Sequence, residues 1–228
     1  MATTDFNIYE TLSFRIEDRE FDYLEEHLDR MRGTTVFFDR EFDDTRIRKQ
    51  IETWISDVDP QSDARASDGR IAPMLRVRFY LDPFGRFVIE SEPMFPLAQP
   101  VRAAFAKERT RSTNILRQHK TSRREAYDAA LKRAVPLGYW DVIFRNERGE
   151  ITEGARTNVF LKTADGWLTP PLDCGLLPGV LRRVFERVVG EPLVERVLTV
   201  DDLRTGKIYI GSSVRGLLET VMDFDVEI

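Results

Sequence analysis

The chain has 228 residues, of which 42% are hydrophobic, 11% aromatic and 32% charged, a composition that excludes disorder and fits one large globular domain or two small ones. Its 34 Lys and Arg against 39 Asp and Glu leave a formal charge of −5, and no stretch gathers basic with aromatic residues, which argues against nucleic acid as a partner. No run approaches the roughly 20 apolar residues of a membrane helix. The opening Met1-Ala2-Thr3-Thr4-Asp5 lacks the regions of a signal peptide, and the lone Cys174 forms no internal disulfide, so a cytoplasmic protein without membrane contact is expected.

Residues 8–14 read as a strand, followed by a helix with Phe21, Leu24, Leu28 and Met31 at helical spacing. A second helix carries Ile47, Ile51, Trp54 and Ile55 on one side, and the polar stretch 57–69 reads as a loop. Leu75, Val77, Phe79 and Leu81 alternate with Arg76, Arg78 and Tyr80, the period of a half-buried strand, and residues 86–90 can pair back through Asp82-Pro83-Phe84-Gly85. Pro93, Pro96 and Pro100 then interrupt regular structure and suggest a domain boundary near residue 97.

Beyond it, residues 101–106 form a strand, and Ser122-Arg123-Arg124-Glu125 has the form of a capping box opening a helix over 126–135. Short strands are expected over 141–145, 151–153, 158–163 and 167–169, with a hairpin turn at Asp165-Gly166. A helix over 180–189 and strands over 193–197 and 207–211 complete an α+β pattern of two small domains, 1–96 and 97–228, the second richer in strand.

The rare residues narrow the chemistry. His27, His119 and Cys174 are too few for a zinc site of His and Cys ligands, so no metal is expected. Among the basic residues only Lys49, Lys107, Lys120, Lys132, Lys162 and Lys207 are lysines, and an amine can do covalent chemistry that a guanidinium cannot. Lys120, two residues before the expected cap and close to Arg123 and Arg124, is either a solvated surface lysine or an amine readied to form a Schiff base. Leu177-Pro178-Gly179-Val180-Leu181 turns a loop into a helix and is either an ordinary helix start or a phosphate cradle. Glu153 to Asn158 is either a polar turn or the bearer of a carboxylate for a heterocycle nitrogen, and Gly211-Ser212-Ser213 is a second possible anion nest. An amine, a carboxylate and backbone donors together meet the demands of pyridoxal 5′-phosphate (PLP).

Several pieces follow one another in a familiar order. They are Tyr9-Glu10-Thr11-Leu12, Leu24-Glu25-Glu26-His27-Leu28-Asp29-Arg30, His119-Lys120-Thr121 with Arg123-Arg124 and Tyr127-Asp128, and Asn146 to Glu153 running into Asn158. Thr169-Pro170-Pro171-Leu172, Gly175-Leu176-Leu177-Pro178-Gly179 and Ser213-Val214-Arg215-Gly216 complete the series. In these the chain resembles the fold-type IV, or class IV aminotransferase-like, PLP enzymes, and most closely the aminodeoxychorismate lyases, especially the lyase domain fused to aminodeoxychorismate synthase.

The resemblance implies a two-domain fold like that of D-amino-acid aminotransferase, with a smaller N-terminal α/β domain and a strand-rich, barrel-like C-terminal domain carrying the catalytic lysine. It implies that Lys120 holds PLP and moves protons, that Glu153 pairs with the pyridine nitrogen, and that Arg30 grips the phosphate with the backbone of Val180 and Leu181 and with Ser212. Thr11 matches a threonine that lyases of this group carry near the lysine. His119, Arg156 and Arg215 are the candidates for substrate carboxylates. The implied reaction converts 4-amino-4-deoxychorismate to 4-aminobenzoate and pyruvate, the branch step towards folate, in a homodimer with a functional link to the synthase. Leu181 departs from the family, where many members have Thr, and the start near Glu10-Thr11 resembles the fused domain. Cys174 reads as a small buried filler. An aminotransferase acting on branched-chain, D-amino or other primary amines would need the same Lys120 and Glu153, and a catalytically idle interaction module would need neither.

Overall fold

The structure, a computed structural model, describes residues 5–228; the opening Met1–Thr4 segment read above for targeting lies outside the described residues. Contacts divide the chain into two compact units, one formed by the residues up to Pro96 with Lys120–Arg123, the other by Leu97–His119 with Arg124–Ile228. The four residues from Lys120 thus group with the N-terminal unit, whereas the sequence boundary at 97 puts them in the second domain.

The first unit is a sheet with two helices. Its elements are β1 (Ile8–Arg15), β2 (Glu20–Phe21), α1 (Leu24–Phe37), α2 (Asp44–Asp57), β3 (Met74–Leu81) and β4 (Phe87–Met94), with sheet order β2-β1-β3-β4. The alternation in β3 buries Leu75, Val77, Phe79 and Leu81 in the core with Ile8, Leu12 and Phe14 of β1, Leu28 and Met31 of α1, and Ile47 and Ile51 of α2. The Asp82 carboxylate accepts hydrogen bonds from the Phe84 and Arg86 N–H groups, and Gly85 takes φ 78°, which closes the β3–β4 turn.

Two expectations are corrected here. Phe21 is not part of the first helix: it pairs with Phe14 as β2, and the helix starts only after Tyr23, whose left-handed φ of 56° breaks the chain direction. Its ring instead packs against Phe14, Trp54 and Phe79. Pro93 does not interrupt β4, because β4 is an edge strand and its missing N–H deprives no neighbour.

The second unit contains β5 (Val101–Thr110), α3 (Glu125–Ala134), β6 (Asp141–Asn146), β7 (Ile151–Gly154), β8 (Asn158–Thr163), β9 (Gly166–Thr169), α4 (Val180–Arg183), α5 (Phe185–Val189), β10 (Leu193–Glu195), α6 (Val200–Leu203), β11 (Lys207–Ser212) and β12 (Gly216–Glu227). The sheet order is β10-β9-β8-β11-β12-β5-β6-β7, and a further pairing of β7 with β8 closes β8-β11-β12-β5-β6-β7 into a ring. The unit is therefore barrel-like, with β9 and β10 as an extension. Val159, Leu161, Ile208, Ile210, Leu218, Phe105 and Ile143 line its core.

Two local expectations fail for physical reasons, and one strand was missed. The helix over 180–189 is two short helices, since Val184 at φ −101°, ψ 9° leaves the helical region. The capping box is absent: α3 starts with Arg124 as its cap and no side-chain cap bond, while the Ser122 hydroxyl accepts instead from the Asn7 N–H at 3.0 Å. The last strand, β12, carries a two-residue alternation of Leu218, Thr220 and Met222 with Glu219, Val221 and Asp223 that the sequence reading passed over.

Truncating a ring that is fully buried should cost far more than removing an exposed one. Phe79→Ala is expected to lower the unfolding free energy by about 3–5 kcal/mol, and Phe84→Ser at the 93% exposed turn tip by less than about 0.5 kcal/mol, both read from denaturant unfolding curves.

Candidate active site

In the first unit the candidate residues gather around the front half of β1. Residues 120–122 lie along its edge: the Tyr9 N–H donates to the Lys120 carbonyl at 3.0 Å, the Ser122 N–H donates to the Asn7 carbonyl at 2.8 Å, and Ile8 bridges Thr121. Lys120 is therefore on an extended segment and not at a helix start, so the helix-dipole argument for its amine does not apply. Its Nζ lies over the Tyr9 ring, 4.8 Å from the centroid, and the Tyr9 ring stacks on Tyr80. Strand alternation puts Thr11, half-buried and paired with Arg78, on the same face as Tyr9.

Glu10 points the other way, onto α1, and is completely buried. His27 and Arg30 are three residues apart on α1 and so share one face. The Arg30 Nε donates to Glu10 Oε1 at 2.8 Å and Nη2 to Oε2 at 2.5 Å, while His27 Nδ1 lies 2.7 Å from Oε2. Burial by itself raises the Glu10 carboxyl, but the charge and hydrogen bonds of Arg30 and His27 together outweigh it and hold the group at about 2. Burial pushes the His27 ring below the ordinary imidazole value, against the pull of Glu10. Because a carboxylate can only accept, His27 must carry its proton on Nδ1.

In the second unit the candidates meet where the ring of strands closes. Glu153 of β7 pairs with Asn158 of β8, and Asn158 pairs with Gly211 of β11, which puts the β7–β8 and β11–β12 turns at the same end of the sheet. Glu153 is 5% exposed; its Oε1 accepts from the Tyr127 hydroxyl and its Oε2 from the Leu177 N–H at 3.1 Å. Tyr127 in turn accepts from Arg117. Burial and then the Glu153 charge raise the Tyr127 hydroxyl well above its ordinary value, so it stays a donor.

The same pair of residues fixes the loop before α4. Asn158 Nδ2 donates to the Leu177 carbonyl at 3.0 Å, and a Cβ on Gly179 would sit 1.8 Å from Asn158 Oδ1, so only glycine fits. Val180 and Leu181 form the first turn of α4, whose N–H groups find no acceptor within a helix. The Leu181 side chain is buried with Phe160, Trp167 and Phe185, and a Cβ on Gly211 would meet its Cδ2 at 2.7 Å. Packing thus explains leucine at this position, next to Ser212 at the end of β11.

Arg156 lies in the β7–β8 turn with its guanidinium over the Trp140 ring at 4.9 Å, and Arg215 lies in the β11–β12 turn. Burial, then repulsion from Arg156, lowers the Arg215 pKa, although an arginine remains charged. His119 closes the turn after Ile115–Gln118, half-buried, its ring pushed down by burial. Cys174 is buried, and burial followed by its bond with Glu150 pushes its thiol up to about 12, which leaves it inert.

Sequence reasoning singled out Arg30 and Glu153 but missed what holds them. Glu10, His27 and Tyr127 lay within the quoted motifs without a role. A carboxylate among the alternate residues Ile8, Leu12 and Phe14 on one face of β1, and a His-x-x-Arg pair on one helix face, were the available signals for the first two.

The chain matches the family model described as amino-transferase class IV over residues 7–220, and it belongs to that family. Its fold is accordingly of type IV, and it is an enzyme of the PLP-dependent class. Among solved structures it is similar to a candidate amino-acid aminotransferase from Mesorhizobium loti, 32% identical with a TM-score of 0.81, covering 96% of this chain and 100% of that one. It shares its fold with a candidate 4-amino-4-deoxychorismate lyase from Legionella pneumophila, 17% identical with a TM-score of 0.78, covering 98% and 85% of the two chains. It also shares it with the PLP-bound form of a hypothetical aminotransferase from Mycobacterium tuberculosis, 20% identical with a TM-score of 0.75, covering 97% and 82%. No curated protein matches the sequence.

The donor set fits PLP. A buried carboxylate aimed by two hydrogen bonds suits a protonated heterocycle nitrogen, and a glycine-tight loop opening onto first-turn N–H groups suits a phosphate. Among the described residues no helix is long and apolar enough to cross a membrane.

The Glu10 carboxyl titrates at about 2 in the fold against 4.5 ordinarily, so the stability it contributes is present above pH 4.5 and is lost as pH falls towards 2. The shift corresponds to on the order of 3 kcal/mol. The gap in unfolding free energy between wild type and Glu10→Gln should close over that window in urea melts at stepped pH; a constant gap would contradict the assigned ionisation.

Proposed function

We propose that this chain is a PLP-dependent 4-amino-4-deoxychorismate lyase, which eliminates the enolpyruvyl group of its substrate to give 4-aminobenzoate and pyruvate. The observation that carries this reading is the pair of arginines, Arg156 and Arg215, on two turns at the same end of the sheet as Glu153. The substrate bears two carboxylates, and two cations beside one another meet that demand better than they meet a monocarboxylic amino acid. Thr11, on the Tyr9 face of β1, supports the same reading.

Bound PLP supplies an electron-withdrawing ring that makes a proton on the amine-bearing carbon acidic. Lys120 would hold the cofactor and, once displaced by the substrate amine, take the proton from the amine-bearing ring carbon. Its place over the Tyr9 ring keeps the amine against an apolar face. Glu153, fixed by Tyr127 and the Leu177 N–H, would face the pyridine nitrogen and keep it protonated. Arg30, the N–H groups of Val180 and Leu181, and Ser212 would take the phosphate. Arg156 and Arg215, with His119, would orient the substrate so that the C–O bond to the enolpyruvyl group breaks as the ring becomes aromatic. Aromatisation drives the elimination, so the protein need only orient and move protons. The same reading carries a homodimer in the cytoplasm, linked functionally to the synthase that makes the substrate on the way to folate.

One observation favours a second reading, an aminotransferase: the Mesorhizobium loti protein, 32% identical over nearly all of this chain, is described as acting on amino acids. The two differ in their need for a 2-oxo acid. With PLP supplied and no 2-oxo acid, 4-aminobenzoate fluorescence should grow from aminodeoxychorismate with wild type and not with Lys120→Ala, and borohydride should fix the pyridoxyl group on Lys120. Arg156→Ala and Arg215→Ala should each raise KM about tenfold. Activity only on addition of a 2-oxo acid would establish the aminotransferase instead, and failure to retain PLP the idle module.

A further inference from the structure

We infer that Glu10 and His27 are positioning residues that set the Arg30 guanidinium for the cofactor phosphate, an inference that rests on the assignment of Arg30 to that phosphate. A lone arginine on a helix surface is a long, mobile side chain that gives up much rotamer freedom when it binds. Here Arg30 is gripped along one edge: its Nε and Nη2 both donate to Glu10, in the two-point geometry that fixes a guanidinium plane as well as its position. The edge bearing Nη1 is thereby directed away from Glu10.

Glu10 is itself held. It is completely buried, its strand is hydrogen-bonded to β3 along its length, and its Oε2 also accepts from His27 Nδ1. The spacing of His27 and Arg30 on α1 lets both reach the one carboxylate. Two observations tie this network to the lysine. His27 feels the charge of Lys120, which helps to keep the imidazole neutral. Glu10 also follows Tyr9, whose N–H holds the Lys120 carbonyl. Adjacent residues of one strand therefore anchor the amine and the guanidinium, so the strand sets how the two are placed relative to each other.

An ion pair that merely stabilises the fold would affect pyridoxal and PLP binding equally, and a positioning device would affect only the ligand that has a phosphate. The test is the ratio of the dissociation constants for pyridoxal and PLP, titrated by tryptophan fluorescence on the full chain freed of cofactor. Arg30→Ala should collapse the ratio. Glu10→Gln should lower it about tenfold while pyridoxal affinity stays within about twofold, since one charged hydrogen-bond partner has been weakened. His27→Leu should lower the ratio too, and His27→Asn, whose amide can donate from the Nδ1 position, should restore it; this pair carries the test where Glu10→Gln does not fold. A collapsed ratio for Arg30→Ala with an unchanged ratio for both Glu10→Gln and His27→Leu would overturn the positioning role and leave the Arg30 assignment standing. An unchanged ratio for Arg30→Ala would overturn the assignment itself, and the inference with it.

Discussion

Two main-chain hydrogen bonds, from the Tyr9 N–H to the Lys120 carbonyl and from the Ser122 N–H to the Asn7 carbonyl, hold the lysine proposed to carry the cofactor, and the arrangement of the first unit's candidate residues depends on them. The back half of β1 is covered on that side by β2, which pairs only with Phe14 and Arg15. The front half would otherwise present unpaired N–H and C=O groups, and a bare strand edge invites further pairing. Residues 120–122 fill it. The same contact draws the Ser122 hydroxyl to the Asn7 N–H and so removes it from any helix cap. A strand edge, not a helix dipole, gives Lys120 its setting.

The second unit depends on a comparable economy at the closure of its ring. Glu153 and Asn158 are partners across β7 and β8, and their side chains hold both main-chain groups of one residue: the carboxylate accepts from the Leu177 N–H and the amide donates to the Leu177 carbonyl. The residues that close the barrel are therefore those that seat the loop before α4. That loop then meets Asn158 so closely that position 179 admits no side chain. Any shift of Glu153 relative to its strand would move the carboxylate and the loop together.

Most of this architecture was legible because burial follows period. β3 alternates without a break, and α2 repeats Ile47 and Ile51 at helical spacing, so both could be read directly. Where the reading failed, a competing local interaction decided. Phe21 fits a helical stripe as well as a strand, and its pairing with Phe14 together with the left-handed Tyr23 settled the matter. Ser122 and Glu125 have the spacing of a capping box, but Asn7, over a hundred residues away, takes the hydroxyl. Among the candidate residues, Lys120 and Glu153 are of types whose chemistry could be named from sequence. The partners Glu10, His27 and Tyr127 do not, because their roles exist only once distant segments are brought side by side.

The two readings of the reaction differ in where their evidence lies in the fold. The groups suited to the cofactor are buried and shared out over elements that the whole fold fixes: Glu10 inside a sheet, Glu153 at the barrel closure, Gly179 against Asn158. Changing any of them disturbs packing as well as chemistry, whichever reaction the protein runs. Arg156 and Arg215 are on turns, where a side chain can be exchanged without disturbing the strands beneath. Similarity of fold therefore speaks for the cofactor and says little about the substrate. Under the lyase reading it is the charge carried by two turns, over a scaffold common to lyases and aminotransferases, that would separate a doubly anionic substrate from a simple amino acid.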